Sequence, residues 1–171
     1  MKRQLAVMLA MVAALGLSAC GYHFRGGGEL PGGVKTVYIK QFQNKTSDVA
    51  IETQFTSDLV DEFLLNRKEA VVQNEKDADA VIQGVIRASR TQTISRGANL
   101  QTQQRRLIVT VDVSVYDRAG KRVWFAKGIK ANQQYDVSPL KQDTLANRRQ
   151  AMLDLSKKMA QKIYDRLTEN F

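Results

Sequence analysis

The only cysteine and the only histidine of this 171-residue chain lie three residues apart, in the stretch LSACGYHFR over residues 17–25. A cysteine thiolate can act as a nucleophile or a metal ligand, and a histidine can act as its general base. A metal site would need further ligands, and a single cysteine cannot form an intramolecular disulfide. His23 follows Cys20 in a glycine-rich segment, and no second histidine could complete a catalytic pair. We therefore predict neither catalytic residues nor a metal site here.

A carboxylate in the middle of a strand is the other candidate for acid–base chemistry. Asp112 interrupts the alternating segment of residues 105–116, and a buried aspartate there could hold or release a proton. The alternation assigns Asp112 to the polar side of the strand, so we interpret it as an outward-facing polar residue. The three glycines at 26–28 lack the strand, helix and lysine of a phosphate-binding loop. The sequence therefore predicts a protein that is not an enzyme.

Residues 1–19 have the organisation of a secretion signal. A basic start precedes an apolar stretch over residues 5–17, which is shorter than the roughly 20 residues that cross a bilayer as a helix. The residues LSAC that end at Cys20 resemble a bacterial lipobox, which implies that Cys20 becomes the first residue of the mature chain and carries covalent lipid. Two or more acyl chains would hold a soluble domain at a membrane, because each buried methylene contributes about 0.8 kcal/mol. We expect this lipid and no cofactor; an ordinary signal peptide before a free cysteine is the alternative.

The segment after the lipidation site predicts a flexible connection. Residues 20–33 contain six glycines and a proline, a composition typical of a tether. Gly21, rather than an aspartate, follows Cys20, and by resemblance to the usual lipoprotein sorting rule this directs the protein to the outer membrane. We therefore expect a lipid-anchored protein at the periplasmic face of that membrane, with a single folded domain over residues 34–171.

A cationic segment, residues 87–106, contains five arginines and no acidic residue. A turn centred on Gly97 and Ala98 would form a hairpin in which Arg90 and Arg105 lie opposite each other. Like charges in directly opposed positions destabilise a strand pair, so an anion bound between them would relieve the repulsion. A polar hairpin whose arginines keep it soluble and prevent edge pairing explains the pattern equally well.

The same register predicts further neighbours. It pairs Ile86 with Val109, and a count from the next turn, at residues 118–119, places Lys130 close to Arg105. Cations at the end of an apolar sheet face would suit an amphiphile with an anionic head group. The predicted ligand-binding residues are Arg90, Arg105, Lys130, Arg96 and Arg106.

The elements that must position these residues follow from the hydrophobic period. Apolar residues recur every three to four positions over residues 48–67 and 143–170, the second stripe beginning at Leu145, which predicts two amphipathic helices. Alternation predicts one short and three long strands, over residues 35–42, 79–94, 105–116 and 123–135. We predict an α+β fold, a two-layer sandwich in which the two helices pack on one face of a mainly antiparallel, mixed four-stranded sheet.

The charge balance points to an anionic partner. The chain has 26 basic and 17 acidic residues, a formal net charge of +9. Such a charge suits nucleic acid, a lipid surface or a phosphorylated ligand. We expect no nucleic-acid partner, because the predicted periplasmic location offers little of it and the basic residues lack interleaved aromatic side chains.

The stretch CGYHFRG, residues 20–26, together with the order of elements behind it, resembles the LptE family of lipopolysaccharide-assembly lipoproteins. The resemblance implies a non-catalytic protein that plugs the β-barrel of the lipopolysaccharide translocon, LptD, binds lipopolysaccharide and assists its assembly into the outer leaflet. A domain of this size should have a radius of gyration of about 15 Å, so only a wide barrel could hold it. Lipid A phosphates would supply the anion for the arginines.

A second hypothesis remains open at this point. A different outer-membrane lipoprotein could use the same basic surface to bind peptidoglycan or to act as a scaffold in another envelope complex. Retention on purified cell wall would distinguish it, because a lipopolysaccharide-assembly protein has no reason to be retained there.

Overall fold

The computed structural model describes residues 30–67, 70–96 and 102–168. The predicted signal peptide, Cys20 and most of the predicted tether lie outside these residues. The helices are α1 (Ile51–Arg67) and α2 (Lys141–Thr168), and the strands are β1 (Val37–Ile39), β2 (Gln43–Asn44), β3 (Ala80–Arg96), β4 (Thr102–Asp117) and β5 (Arg122–Asp136). Two short 3-10 turns complete the described elements, Pro31–Gly33 and Glu75–Asp77.

The strands form one mixed sheet. Strands β1 and β2 pair in parallel with the same edge of β3, β4 pairs antiparallel with β3, and β5 pairs antiparallel with β4. Helices α1 and α2 pack against each other and against the sheet, so they form a second layer on one of its faces. The predicted α+β sandwich is therefore confirmed, and the short strand β2 is a fifth strand that the sequence did not indicate.

The core lies between the helices and the sheet. In the second half of β4 every second residue is buried there: Leu107, Val109, Val111, Val113 and Val115. Apolar residues recur every four positions along α1, and three of them are buried in this core: Phe55, Leu59 and Phe63. Between the helices, the ring of Phe63 meets that of Tyr164 edge to face at 5.1 Å between centroids.

The apolar stripe of α2 begins later than predicted. Leu155, Met159, Ile163 and Leu167 are buried, but Leu145 is 57% exposed. The start of α1 explains the difference, because Asp48 just before α1 contacts Arg148 of α2. The first turns of α2 therefore extend past α1. No described helix is long and apolar enough to cross a membrane.

The two ends of the sheet differ. At the root end, where β3 begins and β4 ends, the backbone oxygen of Thr36 accepts hydrogen bonds from the N–H groups of Asp79 and Ala80. The chain enters the fold close to this end, and Leu30 is only 2% exposed, so the last residues of the predicted tether are part of the packed body. The opposite end, where Arg96 pairs with Thr102, is the hairpin end. At about 3.3 Å per residue, β3 separates the two ends by about 50 Å.

Candidate functional site

The sheet face opposite the helices, called the open face below, is covered by no helix in the described part of the chain. Near the root end it carries apolar and aromatic side chains, among them Val85, Tyr116 and Phe125, and Phe125 is 44% exposed. Toward the hairpin end it carries cations. This amphipathic division along one face makes the open face the candidate functional surface.

A β-bulge in β3 decides which residues reach the open face. Ile86 pairs with Val111, whereas Ala88 pairs with Thr110, so Arg87 is an extra residue without a partner in the ladder. Because side chains alternate along a strand, one extra residue reverses the faces beyond it. Even-numbered residues of β3 point toward the helices before Arg87 and toward the open face from Ala88 to Gln92.

The predicted pairing of Arg90 with Arg105 is therefore wrong. Arg90 pairs with Ile108, and Arg105 pairs with Thr93. The prediction assumed strict alternation and a turn centred on Gly97 and Ala98, but Arg96 pairs with Thr102, which displaces the register by three positions. The bulge at Arg87 in addition reverses the face of the residues that follow it. As a result Arg90 lies on the open face, whereas Arg105, two residues before the buried Leu107, lies on the helix face.

The observed partners of Ile86 and Lys130 also differ from the predicted ones. Ile86 pairs with Val111 rather than Val109. Lys130 pairs with Thr110, so its predicted position beside Arg105 is also wrong.

Two irregularities interrupt the pairing of β4 with β5, one between Val115 and Tyr116 and one at a bulge in β5. Val113 pairs with Ala126 and Val111 with Ile129, so two residues of β5, one of them Gly128, lie opposite a single residue of β4.

Three of the five predicted ligand-binding residues share one face. Arg90, Arg106 and Lys130 occupy neighbouring positions of β3, β4 and β5 on the open face. Arg105 lies on the other face. The backbone of Arg96 pairs with Thr102, but its side chain lies outside the described atoms. Anion binding by these residues stays a prediction.

Asp112 connects the two bulges. Its Oδ2 accepts a hydrogen bond from Nε of Arg87 at 2.8 Å, and its Oδ1 accepts one from the N–H of Gly128 at 2.8 Å. Gly128 has a φ of +69°, a left-handed conformation that glycine adopts without strain. Asp112 faces away from the helices as predicted, yet only 6% of it is exposed.

The hydrogen bonds of Asp112 also set its charge state. Burial by itself would raise the pKa of this carboxyl group. The N–H of Gly128 and the guanidinium of Arg87 outweigh burial and hold the pKa below its ordinary value. Asp112 is therefore a carboxylate anion paired with Arg87, and it carries no proton that it could donate in catalysis.

Sequence reasoning missed this arrangement, although one signal was present. A glycine within a strand often marks a bulge, and Gly128 lies in the middle of β5. An aspartate facing that glycine on the neighbouring strand is suited to accept the N–H that the bulge leaves free. No comparable residue type marks the bulge at Arg87.

The chemistry offered by the described residues is recognition of charge. No three His, Cys, Asp or Glu side chains cluster as metal ligands would within the described ranges. Cys20 and His23 lie outside those ranges, so their predicted roles stay predictions.

The fold of the chain is similar to that of several lipoproteins of known structure. The fold is similar to that of lipoprotein B from Nitrosomonas europaea, with a TM-score of 0.59 and 19% identity over 86% of this chain and 90% of that one. A minor lipoprotein from Acinetobacter baumannii matches with a TM-score of 0.51 and 13% identity, covering 80% of this chain and 93% of the other. At these identities the similarity shows the fold alone. A comparison with curated protein sequences finds no match.

The sequence of the folded domain identifies its family. A family model described as LptE, lipopolysaccharide-assembly, matches residues 34–167. The match includes both helices and all five strands, and it covers well over half of the chain. The chain belongs to the LptE lipopolysaccharide-assembly family.

Proposed function

We propose that this lipopolysaccharide-assembly lipoprotein plugs an LptD-type β-barrel from the periplasmic side of the outer membrane, binds lipopolysaccharide and supports its passage to the outer leaflet. The protein acts without catalysing a reaction, and lipid on Cys20 anchors it. The observation that carries the proposal is the family match over residues 34–167.

The dimensions of the domain are compatible with a plug. Leu30, which is buried, lies ten positions after Cys20, so Cys20 lies within about 36 Å of it. The hairpin end lies about 50 Å beyond, which exceeds the roughly 30 Å of a hydrocarbon core. Long strands rich in glutamine, threonine and arginine cannot face lipid tails, because their polar groups would lose their hydrogen bonds. A polar barrel interior would accommodate them.

The test is purification of the tagged full-length chain in a mild detergent. We expect a large outer-membrane β-barrel and lipopolysaccharide to be recovered with it. Recovery of the chain alone would contradict the proposal, and retention on purified cell wall would favour a peptidoglycan-binding lipoprotein instead. The variant Cys20→Ser should be released from the membrane or remain unprocessed, which tests the anchor separately.

A further inference from the structure

We propose that residues 22–25 of this chain, which lie outside the described residues, bind a cavity at the root end of the open face. The bound segment holds Cys20 and its lipid against this end of the sheet. The inference goes beyond the proposed function, because it concerns a contact within one chain and requires neither the barrel nor lipopolysaccharide.

The cavity, called the root cavity below, has a volume of about 590 Å³. Its floor is formed on the open face by Val81, Gln83 and Tyr116, all of them half-buried. The 3-10 turn Glu75–Asp77 forms one wall, and the turn that links β4 to β5 forms the other. Sites for small ligands have volumes of about 300–1,000 Å³, so the root cavity is large enough to accept aromatic side chains.

Polar groups of the root cavity are available to a further segment. The side-chain amide of Gln83 forms no hydrogen bond within the described part of the chain. In the wall, Oδ1 of Asp117 accepts hydrogen bonds from the N–H groups of Ala119 and Lys121, each at 2.9 Å. The second oxygen of Asp117 has no such partner among the described residues, so it can accept a hydrogen bond from a bound segment.

The charges around the root cavity point to the same carboxylate. Three carboxylates and two cations line it: Glu75, Asp79, Asp117, Lys76 and Arg118. Asp79 is paired with Arg118 at 3.1 Å, and Glu75 contacts Lys40 at 3.6 Å. Asp117 is therefore the carboxylate of the walls that has no ion pair within the described ranges, and it is suited to bind an incoming cation.

Residues 22–25 have the sequence Tyr-His-Phe-Arg, which supplies the complementary groups. Tyr22 and Phe24 are two positions apart, so both lie on one side of an extended segment and can contact the floor together. Aromatic rings pack favourably on one another, and Tyr116 provides a ring in the floor. Arg25 follows at once, and its guanidinium can donate a charge-assisted hydrogen bond to Asp117.

The chain is long enough to bring this segment to the root cavity. The N–H of Lys35 donates to Asp79 of the wall at 3.1 Å, so the chain passes the cavity five positions after the buried Leu30. At 3.6 Å per residue or less, Leu30 lies within about 18 Å of Lys35, and Phe24 lies within about 22 Å of Leu30. The residues between Phe24 and Leu30 can therefore return to the same end of the sheet.

Attachment to the same chain favours this segment over a separate molecule. A short flexible linker gives a tethered group an effective concentration in the millimolar range, so a contact of modest affinity is enough to occupy the site. Residues 26–28 are glycines, which permit the turn that such a return requires. Gly21 is then the one residue between the bound segment and Cys20, which places the lipid within about 7 Å of Tyr22.

Two cysteine pairs test the contact in the full-length chain, in which Cys20 is the only natural cysteine. The site pair combines Phe24→Cys with Gln83→Cys and keeps Tyr22 and Arg25. The control pair combines Phe24→Cys with Gln92→Cys, on the same face but about 30 Å farther along β3. A disulfide forms only where two Cα atoms approach within about 7 Å, and peptide mapping by mass spectrometry identifies it.

We expect the site pair to form a disulfide within one chain in at least about fivefold higher yield than the control pair. Similar yields from both pairs would overturn the proposal, because the segment would then have no preference for the root cavity. A disulfide from position 83 to a second copy or to another envelope protein would also overturn it, since a different partner would then occupy the site.

If neither pair forms a disulfide, proteolysis of the natural segment decides. Chymotrypsin cleaves after aromatic residues such as Tyr22 and Phe24, and the cut releases the domain from its lipid anchor. Gln83→Arg places a cation on the floor near Arg25, so we expect release at least about threefold faster than from the unmodified chain. Gln92→Arg should leave the rate unchanged, and equal rates for the two variants would overturn the proposal.

These measurements separate failure of the contact from failure of the proposed function. Neither the disulfide nor the release rate depends on a barrel or on lipopolysaccharide. A negative result therefore refutes the binding of residues 22–25 and leaves the proposed function standing, whereas purification of the chain without a barrel refutes the proposed function alone.

Discussion

Asp112 joins the three long strands through a single carboxylate. One oxygen binds the side chain of Arg87 on β3, and the other binds the backbone of Gly128 on β5. Both contacts lie at bulges, where the ladder leaves backbone groups without their regular partners. The carboxylate therefore stabilises the two irregularities that determine which cations reach the open face.

Replacing Asp112 should destabilise the fold. Asp112→Asn removes the charge that pairs with Arg87, and since that arginine is half exposed we expect a loss of about 1–2 kcal/mol in the free energy of unfolding. Asp112→Ala removes both acceptors and should cost about 2–3 kcal/mol. Urea denaturation measures both values. As a control, Asp136→Asn changes an exposed aspartate of β5 and should stay within about 0.5 kcal/mol; an equal loss there would contradict the role of Asp112.

Gly84 is required because of its neighbour. A Cβ atom at this position would lie 2.4 Å from ring atoms of Phe42, which is 3% exposed. Gly84→Ala should therefore destabilise the protein by about 1–3 kcal/mol, because the ring cannot move without disturbing the packed core.

A second substitution provides the control for Gly84. Phe42→Leu makes room at the same point, so the double variant with Gly84→Ala should lose less stability than the sum of the single changes. Strictly additive losses in thermal or urea unfolding would show that the two residues do not compete for the same space.

At the scale of whole elements, the regular spacing of apolar residues is sufficient to predict the helices and the central strand. The stripe of Phe55, Leu59 and Phe63 and the alternation of β4 identify α1 and the central strand, because burial on one face imposes these periods. The register of the hairpin could not be predicted in the same way. A single extra residue at Arg87 reverses the faces of the residues that follow it up to Thr93, and no residue type in the sequence marks it.

The segment before α1 illustrates a related difference. Ser47 and Asp48 are residue types that cap helices, so local sequence predicts a helix start next to them, but α1 begins only at Ile51. The carboxylate of Asp48 instead contacts Arg148 of α2 at 2.6 Å. Because Asp48 and Arg148 are 100 positions apart, their contact cannot be predicted from local sequence and is seen only in the tertiary structure.

This contact should make stability depend on pH. Burial would raise the pKa of Asp48, but the nearby hydroxyl of Ser89 and the hydrogen-bonded guanidinium of Arg148 outweigh it and lower the pKa below its ordinary value near 3.8. A carboxylate with a lowered pKa in the folded state stabilises the protein above the unfolded pKa. That contribution is lost as the pH falls below about 4 and through the folded value.

Replacing Asp48 should reduce the dependence of stability on pH. We expect Asp48→Asn to lose at most about 1 kcal/mol at pH 7, because Arg148 is a third exposed, and to show a smaller drop in unfolding free energy between pH 5 and 2.5. Arg148→Gln should reduce the drop similarly, whereas Arg149→Gln should not. Urea unfolding across this range measures it, and unchanged profiles for both members of the pair would contradict the prediction.

At the scale of the whole molecule, the sheet separates the root end, near which the chain enters β1, from the hairpin end about 50 Å away. Under the proposed function, a domain of this length would lie lengthwise inside the barrel, with the lipid of Cys20 on one side and the hairpin on the other.

Photo-crosslinking in whole cells tests this central claim most directly. A photoreactive residue replaces Lys121 at the root end, Lys157 on α2 or Gln92 near the hairpin end, three positions that are all exposed. We predict that positions at both ends crosslink to the same large outer-membrane barrel, since a plug contacts the wall along its length. The absence of a barrel crosslink from every position, with the protein present at normal levels in the membrane, would contradict the account.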